Sequence, residues 1–281
     1  MKKHKRKIHR HKNKHSRWNV FWLLFFICVC GSIAGILYVR HQYPAYYQKL
    51  INKISSKKIN TLYEEHRIDK IIDLHKNNVF GIDLSHYQEK EDIIWDSLHL
   101  KNKNIRFEFA IFRATMGNNT TDRNFPFFWE KAKKYKLIRG AYHFYRPDED
   151  PVLQANSYLR NVKLQKGDLL PVLDVEKLPK SKSIDVFLND VQTWLDIVEK
   201  KYGKKPIIYT YISFYDDYLH QRFRKYPLWI ANYNNVPAPS PLHHWTMWQF
   251  TENGITPGSK VKIDLNIYNG SREKIKEILI P

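Results

Sequence analysis

Cysteine is nearly missing from this sequence: there are two, Cys28 and Cys30, inside one apolar run. A disulfide framework and a cysteine-based zinc site are therefore excluded, and packing has to hold the fold. Glycine and proline are also scarce, at 10 and 13 of 281 residues, which rules out collagen-like and low-complexity chains. Aromatic residues are plentiful. They form 15% of the chain within an apolar share of 43%, so most of the protein is expected to fold around a buried core.

Acidic residues are absent from positions 1–17, where nine Lys/Arg and four His stand together. This block supplies nearly half of the formal charge of +19; residues 40–77 add eight bases against four acids, and 78–281 carry 30 against 24. No basic stripe is visible after residue 79, so the globular part is not expected to bind nucleic acid. The N-terminal block fits attraction to anionic lipid, and a DNA-binding arm would have the same composition.

Charge of either sign is absent from Trp18 to Val39, 22 residues. As a helix this run is roughly 33 Å long, the thickness of a hydrocarbon core, and a transmembrane helix over 18–39 in contact with membrane lipid is expected. The alternative is a cleaved signal peptide with Ser32-Ile33-Ala34 at the cleavage site. Apolar sequence continues past the roughly 7 to 15 residues usual for such peptides, which favours an anchor. Nine Lys/Arg precede the span and five follow it (Arg40, Lys49, Lys53, Lys57, Lys58), predicting a cytoplasmic N-terminus and an extracytoplasmic remainder. Apolar residues recur at Tyr46, Leu50 and Ile54, and again at Leu62, Ile68, Ile71 and Ile72. Residues 40–77 therefore read as a juxtamembrane stalk of short amphipathic helices ahead of a self-sufficient, monomeric domain over 78–281.

From residue 79 short β-rich runs alternate with helical patterns. Strands are expected at Phe80–Leu84, Phe107–Arg113, Ile138–Phe144, Leu169–Glu176, Pro206–Tyr211, Leu228–Asn232, Thr246–Phe250 and Ile263–Ile267, with helices near 91–100, 124–136, 151–163 and 184–202. Alternation of this kind predicts a parallel sheet, and eight strands in about 200 residues predict an α/β fold closed as a modified (β/α) barrel. The last connections are too short or too rich in proline for full helices, so about five helices and an irregular final third are expected.

Polar side chains gather at the strand ends. Asp83 closes the first strand, Arg113 the second, and His143 stands near the end of the third. Asp174 and Glu176 end the fourth, Tyr209 and Tyr211 the fifth, Asn232 the sixth and Gln249 the seventh, while Asp264 sits in the eighth. Barrel enzymes carry their chemistry at the C-terminal strand ends, beneath the loops that form a cup. His143, in a buried run, reads as core, as do Trp129 and Trp194 at helical spacing. Trp229, Trp245 and Trp248 are nearer the strand ends, where an indole can stack on a sugar ring.

Leu170-Pro-Val-Leu-Asp-Val-Glu176 is the sharpest local signal. Residues i and i+2 of a strand share a face, so Asp174 and Glu176 project together after an otherwise apolar strand. Two carboxyls held that close raise one pKa and leave its neighbour ionised, the arrangement that glycosidic cleavage needs. The longer Asp-x-x-Asp-x-Asp-x-Glu run of a chitinase-type barrel is not met here.

Eight segments, in order, resemble glycoside hydrolase family 25, the Chalaropsis-type lysozymes: Phe80-Gly-Ile-Asp-Leu-Ser-His-Tyr-Gln88, Phe112-Arg-Ala-Thr115, Gly140-Ala-Tyr-His-Phe144, Pro171-Val-Leu-Asp-Val-Glu176, Pro206-Ile-Ile-Tyr-Thr210, Leu228-Trp-Ile-Ala-Asn-Tyr233, Trp248-Gln-Phe250 and Ile263-Asp-Leu-Asn266. The resemblance implies N-acetylmuramidase activity on the β-1,4 bond between N-acetylmuramic acid and N-acetylglucosamine, with peptidoglycan glycan strands as partner and no cofactor or metal. It also implies Glu176 as proton donor, Asp174 as its partner carboxylate, and Asp83 and Asp264 as further acids of the cup. Tyr142 and Tyr209 match sugar-contacting positions; Tyr211, Trp229, Asn232 and Gln249 are further substrate-binding candidates. Glu89 and Met116 stand where the family often has Gly and Glu. Retention by carboxylate attack and by participation of the substrate's acetamido group both stay open, and a catalytically silent, membrane-anchored peptidoglycan-binding scaffold is the alternative to an enzyme.

Overall fold

The computed structural model describes residues 15–42, 61–100 and 105–281. The chain divides into two compact units, one ending at Tyr63 and one spanning Glu64–Pro281. In the first, helix α1 (His15–Gln42) contains a stretch, Leu24–Gln42, long and apolar enough to cross a membrane. Its apolar residues do not favour one face, the pattern of a helix surrounded by an apolar medium. Most of the basic N-terminal block, 1–14, and the stalk residues 43–60 lie outside the described residues.

The second unit is a barrel. Its strands are β1 (Val79–Leu84), β2 (Phe109–Met116), β3 (Thr120–Thr121), β4 (Ile138–Phe144), β5 (Val172–Asp174), β6 (Ile207–Tyr211), β7 (Leu228–Ala231), β8 (Met247–Gly254) and β9 (Ile263–Tyr268). They pair in the order β1-β9-β8-β7-β6-β5-β4-β2, and a β1–β2 pairing closes the ring of eight; the two-residue β3 extends β2 at the rim. The eight expected strands are these eight. One direction differs from expectation, because β9 runs antiparallel to both β8 and β1. The connection over 255–262 is shorter than the dozen or so residues that a parallel crossover requires, so the chain turns straight back.

The alternation of side chains separates two cores. Phe109 and Ile111 of β2, Val172 of β5, Ile207 of β6 and Trp229 of β7 fill the barrel interior, while their neighbours Ala110, Phe112, Leu173, Ile208 and Ile230 face the outer shell. Gly81 on β1 is required inside: a Cβ there would stand 2.3 Å from the Phe109 ring. The outer shell is covered by α3 (Phe125–Lys134), α4 (Pro151–Asn161) and α5 (Ile184–Tyr202). Asp150 caps α4 by accepting from Leu153 N at 2.8 Å, and Ser183 caps α5. The helix expected near 91–100 is instead two single 3₁₀ turns, Lys90–Asp92 and Trp95–Ser97. Three short helical segments between Ile212 and Phe223 cross from β6 to β7.

The end of the barrel away from the strand C-termini is plugged by the end of the chain. Ile275 and Ile278 enter the inner core, Leu170 N donates to Ile278 O at 2.9 Å, and Ile280 N donates to Asp168 O at 2.8 Å. A helix over 61–74, α2, supplies the remaining wall: Ile71 and Ile72 are buried in the outer core. The compact unit therefore begins at Glu64 rather than at 78, and the last part of the expected stalk is packed protein.

Candidate active site

With one end plugged, the open end holds a cup of about 790 Å³ at the C-terminal ends of the parallel strands. Asp83, Arg113, Tyr142, Asp174, Glu176, Tyr209, Tyr211, Trp229, Gln249 and Asp264 all line it. The period of two explains the set: each is in phase with the inward residues deeper in its own strand. Asp264 joins from the start of β9 because that strand runs the other way, placing its first residues at the same rim, directly opposite Asp83.

Asn232 does not line the cup. Trp229 and Ala231 face inward, so Asn232 faces out; its side chain donates to Pro239 O at 2.9 Å and accepts from Asn234 N at 3.0 Å, shaping the loop after β7. The same phase turns Tyr233 inward, a lining residue that strand-end inspection passed over although alternation from Trp229 points to it. Trp248 is fully buried on the outer side and donates to the Asn232 carbonyl, leaving Trp229 as the lining indole of the three. His143 is also outside, between Thr115 and Gln154 and stacked on Trp194, and burial lowers its pKa to about 4.

Five carboxyls, those of Asp83, Asp174, Glu176, Glu252 and Asp264, line the cup, and no guanidinium among the described residues is paired with the first three or with Asp264. Arg113, the arginine on the wall, is already paired with Asp122 at 3.1 Å. Asp83 Oδ2 accepts from Gln249 Nε2 at 2.8 Å and from Asn266 Nδ2 at 2.7 Å. Burial pushes the Asp83 carboxyl up, and the hydrogen bonds from Asn266, Gln249 and Asp264 partly oppose that. Asp264 is pushed up to about 9, by burial first and then by the negative charge of Asp83. At neutral pH Asp264 therefore keeps its proton and shares it with the Asp83 carboxylate.

Across the cup, burial and then the charge of Glu176 push Asp174 well above the usual carboxylate range. One of its oxygens, Oδ1, is buried with no hydrogen-bond partner. Glu176, just beyond the strand end, is less enclosed. Burial raises it, while the Lys177 ammonium and hydrogen bonds from the Tyr209 and Tyr211 phenols act in the opposite direction. Both members of the pair are thus raised, Asp174 the further, and the more accessible oxygens are those of Glu176.

Gln249 ties the two sides together. Its Oε1 accepts from Tyr209 Oη at 2.7 Å and from the Tyr233 hydroxyl, which fixes its amide so that Nε2 faces Asp83. Asn266, buried beneath, also accepts the Trp229 indole N–H at 2.9 Å. Met116 lines the rim, where Arg146 donates to its sulfur at 3.4 Å.

The barrel region resembles known proteins. The family model described as "Glycosyl hydrolases family 25" matches residues 82–259. The chain is 35% identical to "Uncharacterized protein YegX" of Escherichia coli K12 over 199 residues, 70% of this chain and 72% of that one. It is 30% identical to "Lysozyme M1" of Streptomyces globisporus over 213 residues, 71% and 70% of the two chains. Among solved structures, a family 25 glycosyl hydrolase from Bacillus anthracis superposes with a TM-score of 0.64 at 31% identity, covering 72% of this chain and 94% of that one.

Proposed function

The chain belongs to glycosyl hydrolase family 25, and on that footing we propose that its cup cleaves the β-1,4 bond between N-acetylmuramic acid and N-acetylglucosamine in peptidoglycan. The observation that carries this reading is the carboxyl pair Asp174–Glu176 facing a second, proton-sharing pair, Asp83–Asp264, in an open groove walled by aromatic rings. Glu176 is the general acid: it is the more accessible of the two and holds its proton through burial, within reach of a leaving glycosidic oxygen. Asp174, with its unpartnered Oδ1, stabilises positive charge or an N–H beside it in the oxocarbenium-like transition state. Tyr142, Tyr209, Tyr211 and Trp229 present rings to the sugars.

In this reading α1 anchors the enzyme as a single membrane pass, N-terminus in the cytoplasm and barrel outside, as the Lys/Arg asymmetry about the span requires. Mass spectrometry of fragments released from purified peptidoglycan tests the chemistry. Reducing-end muramic acid is the expected product; reducing-end glucosamine overturns the assignment in favour of cleavage of the other glycosidic bond, and no release by folded protein overturns it in favour of the silent scaffold. Protease added to intact spheroplasts tests the topology: it should remove the barrel, and full protection places the domain inside.

A further inference from the structure

The Glu64–Arg67 pair lies outside the cup yet touches the two segments that aim its central amide. Arg67 is 3% exposed, although arginine is rarely buried unless paired. Its Nε and Nη2 donate to the two oxygens of Glu64 at 2.9 and 2.6 Å, one turn earlier on α2. Nη1 reaches the Asn234 carbonyl at 3.4 Å. Glu64 in turn accepts the Thr251 hydroxyl at 2.7 Å.

Both outer contacts bracket Gln249. Strand β8 carries a bulge between Gln249 and Thr251, where its register against β9 shifts by one residue. Bulges beside active sites re-aim the adjoining side chain, and here the residue before the bulge is Gln249 while the residue after it is tied to Glu64. Asn234 follows Tyr233, whose hydroxyl donates to Gln249 Oε1. One ion pair therefore holds the strand irregularity that aims Gln249 and the loop that supplies its partner. Farther along the segment, His75 Nε2 donates to Pro237 O at 2.7 Å, securing the same loop a second time.

We propose that the Glu64–Arg67 pair positions Gln249 and Tyr233 for catalysis, making residues 64–77 a working part of the catalytic unit rather than a spacer between α1 and the barrel. The proposal rests on the cup being the site of glycan cleavage. Arg67 and Glu64 are positioning residues. A displacement of about 1 Å at a catalytic centre lowers turnover by up to ~10²-fold, so loss of the pair should cost between about tenfold and a hundredfold in kcat.

The test uses the full chain in detergent, with release of reducing ends from peptidoglycan as readout. Arg67→Met should lower kcat more than it raises KM and shift the pH–rate profile, because Gln249 donates to the proton-sharing Asp83. Arg67→Lys should recover part of the loss. Combined with Tyr233→Phe, Arg67→Met should cost less than the product of the two single effects, since both act through Gln249. If Arg67→Met does not fold, Thr251→Val removes the Glu64 contact at the bulge and is read in the same way. A folded variant with lowered melting temperature but wild-type kcat, KM and pH profile overturns the proposal, as do independent, multiplicative effects with Tyr233→Phe. Absence of muramidase activity in the wild-type chain overturns the reading of the cup instead.

Discussion

Asp168 and Asp174 stand at opposite ends of one short segment through the barrel, and both are buried. At the plugged end Asp168 meets Arg139 in a two-pronged pair, Nε to Oδ1 at 2.8 Å and Nη2 to Oδ2 at 3.1 Å, and also accepts from Gln165 N at 2.8 Å. The guanidinium itself lies over the Trp129 ring at 4.3 Å. At the open end Asp174 has no such partner, one oxygen is orphaned, and four further carboxyls line its cavity. The same side chain in the same barrel is thus clasped by a guanidinium in one place and pushed well above the usual carboxylate range in the other. What differs is whether the fold supplies a compensating cation.

That contrast is broken most severely by removing the proton donor. Glu176→Gln keeps the volume and should lower muropeptide release by about 10²–10⁴-fold, the usual worth of acid–base catalysis, with melting nearly unchanged because a neutral amide replaces a proton-bearing carboxyl. Activity within a few-fold of wild type would mean that another group donates the proton. The mirror experiment at the plugged end is Arg139→Met, which strands Asp168. It should cost about 3–5 kcal/mol in urea denaturation while the folded fraction turns over normally. A fall in specific activity as deep as that of Glu176→Gln would show that the two ends are not separable.

The pH dependence of stability sharpens the comparison further. Asp264 binds its proton more tightly folded than unfolded, so its contribution is full below the ordinary aspartate range near 3.8 and is lost as pH rises toward about 9. Denaturation across that window should show wild-type stability falling by up to ~1.4 kcal/mol per pH unit from this group, and Asp264→Asn should flatten the slope while also impairing turnover. His143, buried on the outer side, has the opposite sign. With a folded pKa of about 4 against 6.5, it costs stability as pH falls through that interval. His143→Gln should remove the acid-side dependence and act through folding, leaving the pH profile of turnover where it was. A shifted profile would place His143 in the catalytic machinery. This is the smallest effect of the four.

Eight strands, three covering helices and the strand-end residues of the cup were legible in the linear pattern, because alternation and strand-end placement are properties of each strand alone; the lining supplied from beyond those strand ends, such as Ser85 to Gln88, Thr120 and Lys262, was not. Asn232 and Tyr233 exchanged roles because the inward phase is set by Trp229 and was not carried past the strand end. The reversed direction of β9 was hidden, since a single strand looks alike in a parallel or an antiparallel neighbourhood. The role of residues 64–77 was hidden for a related reason. Ile71 and Ile72 on an amphipathic helix announce that one face must be covered, but not by what.

Local chemistry in the sequence therefore determined which residues carry carboxyls, which strands hold them, and where an uncharged run long enough for a membrane begins and ends. Tertiary structure decided which of those carboxyls meet a cation: Asp168 and Asp174 are the same residue type, and the distant arrival of Arg139 beside one of them sets the two apart. It also decided that Glu64 and Arg67, well before the first strand, reach the bulge beside Gln249. Such contacts depend on long-range closure of the barrel, and no period within a single segment encodes them.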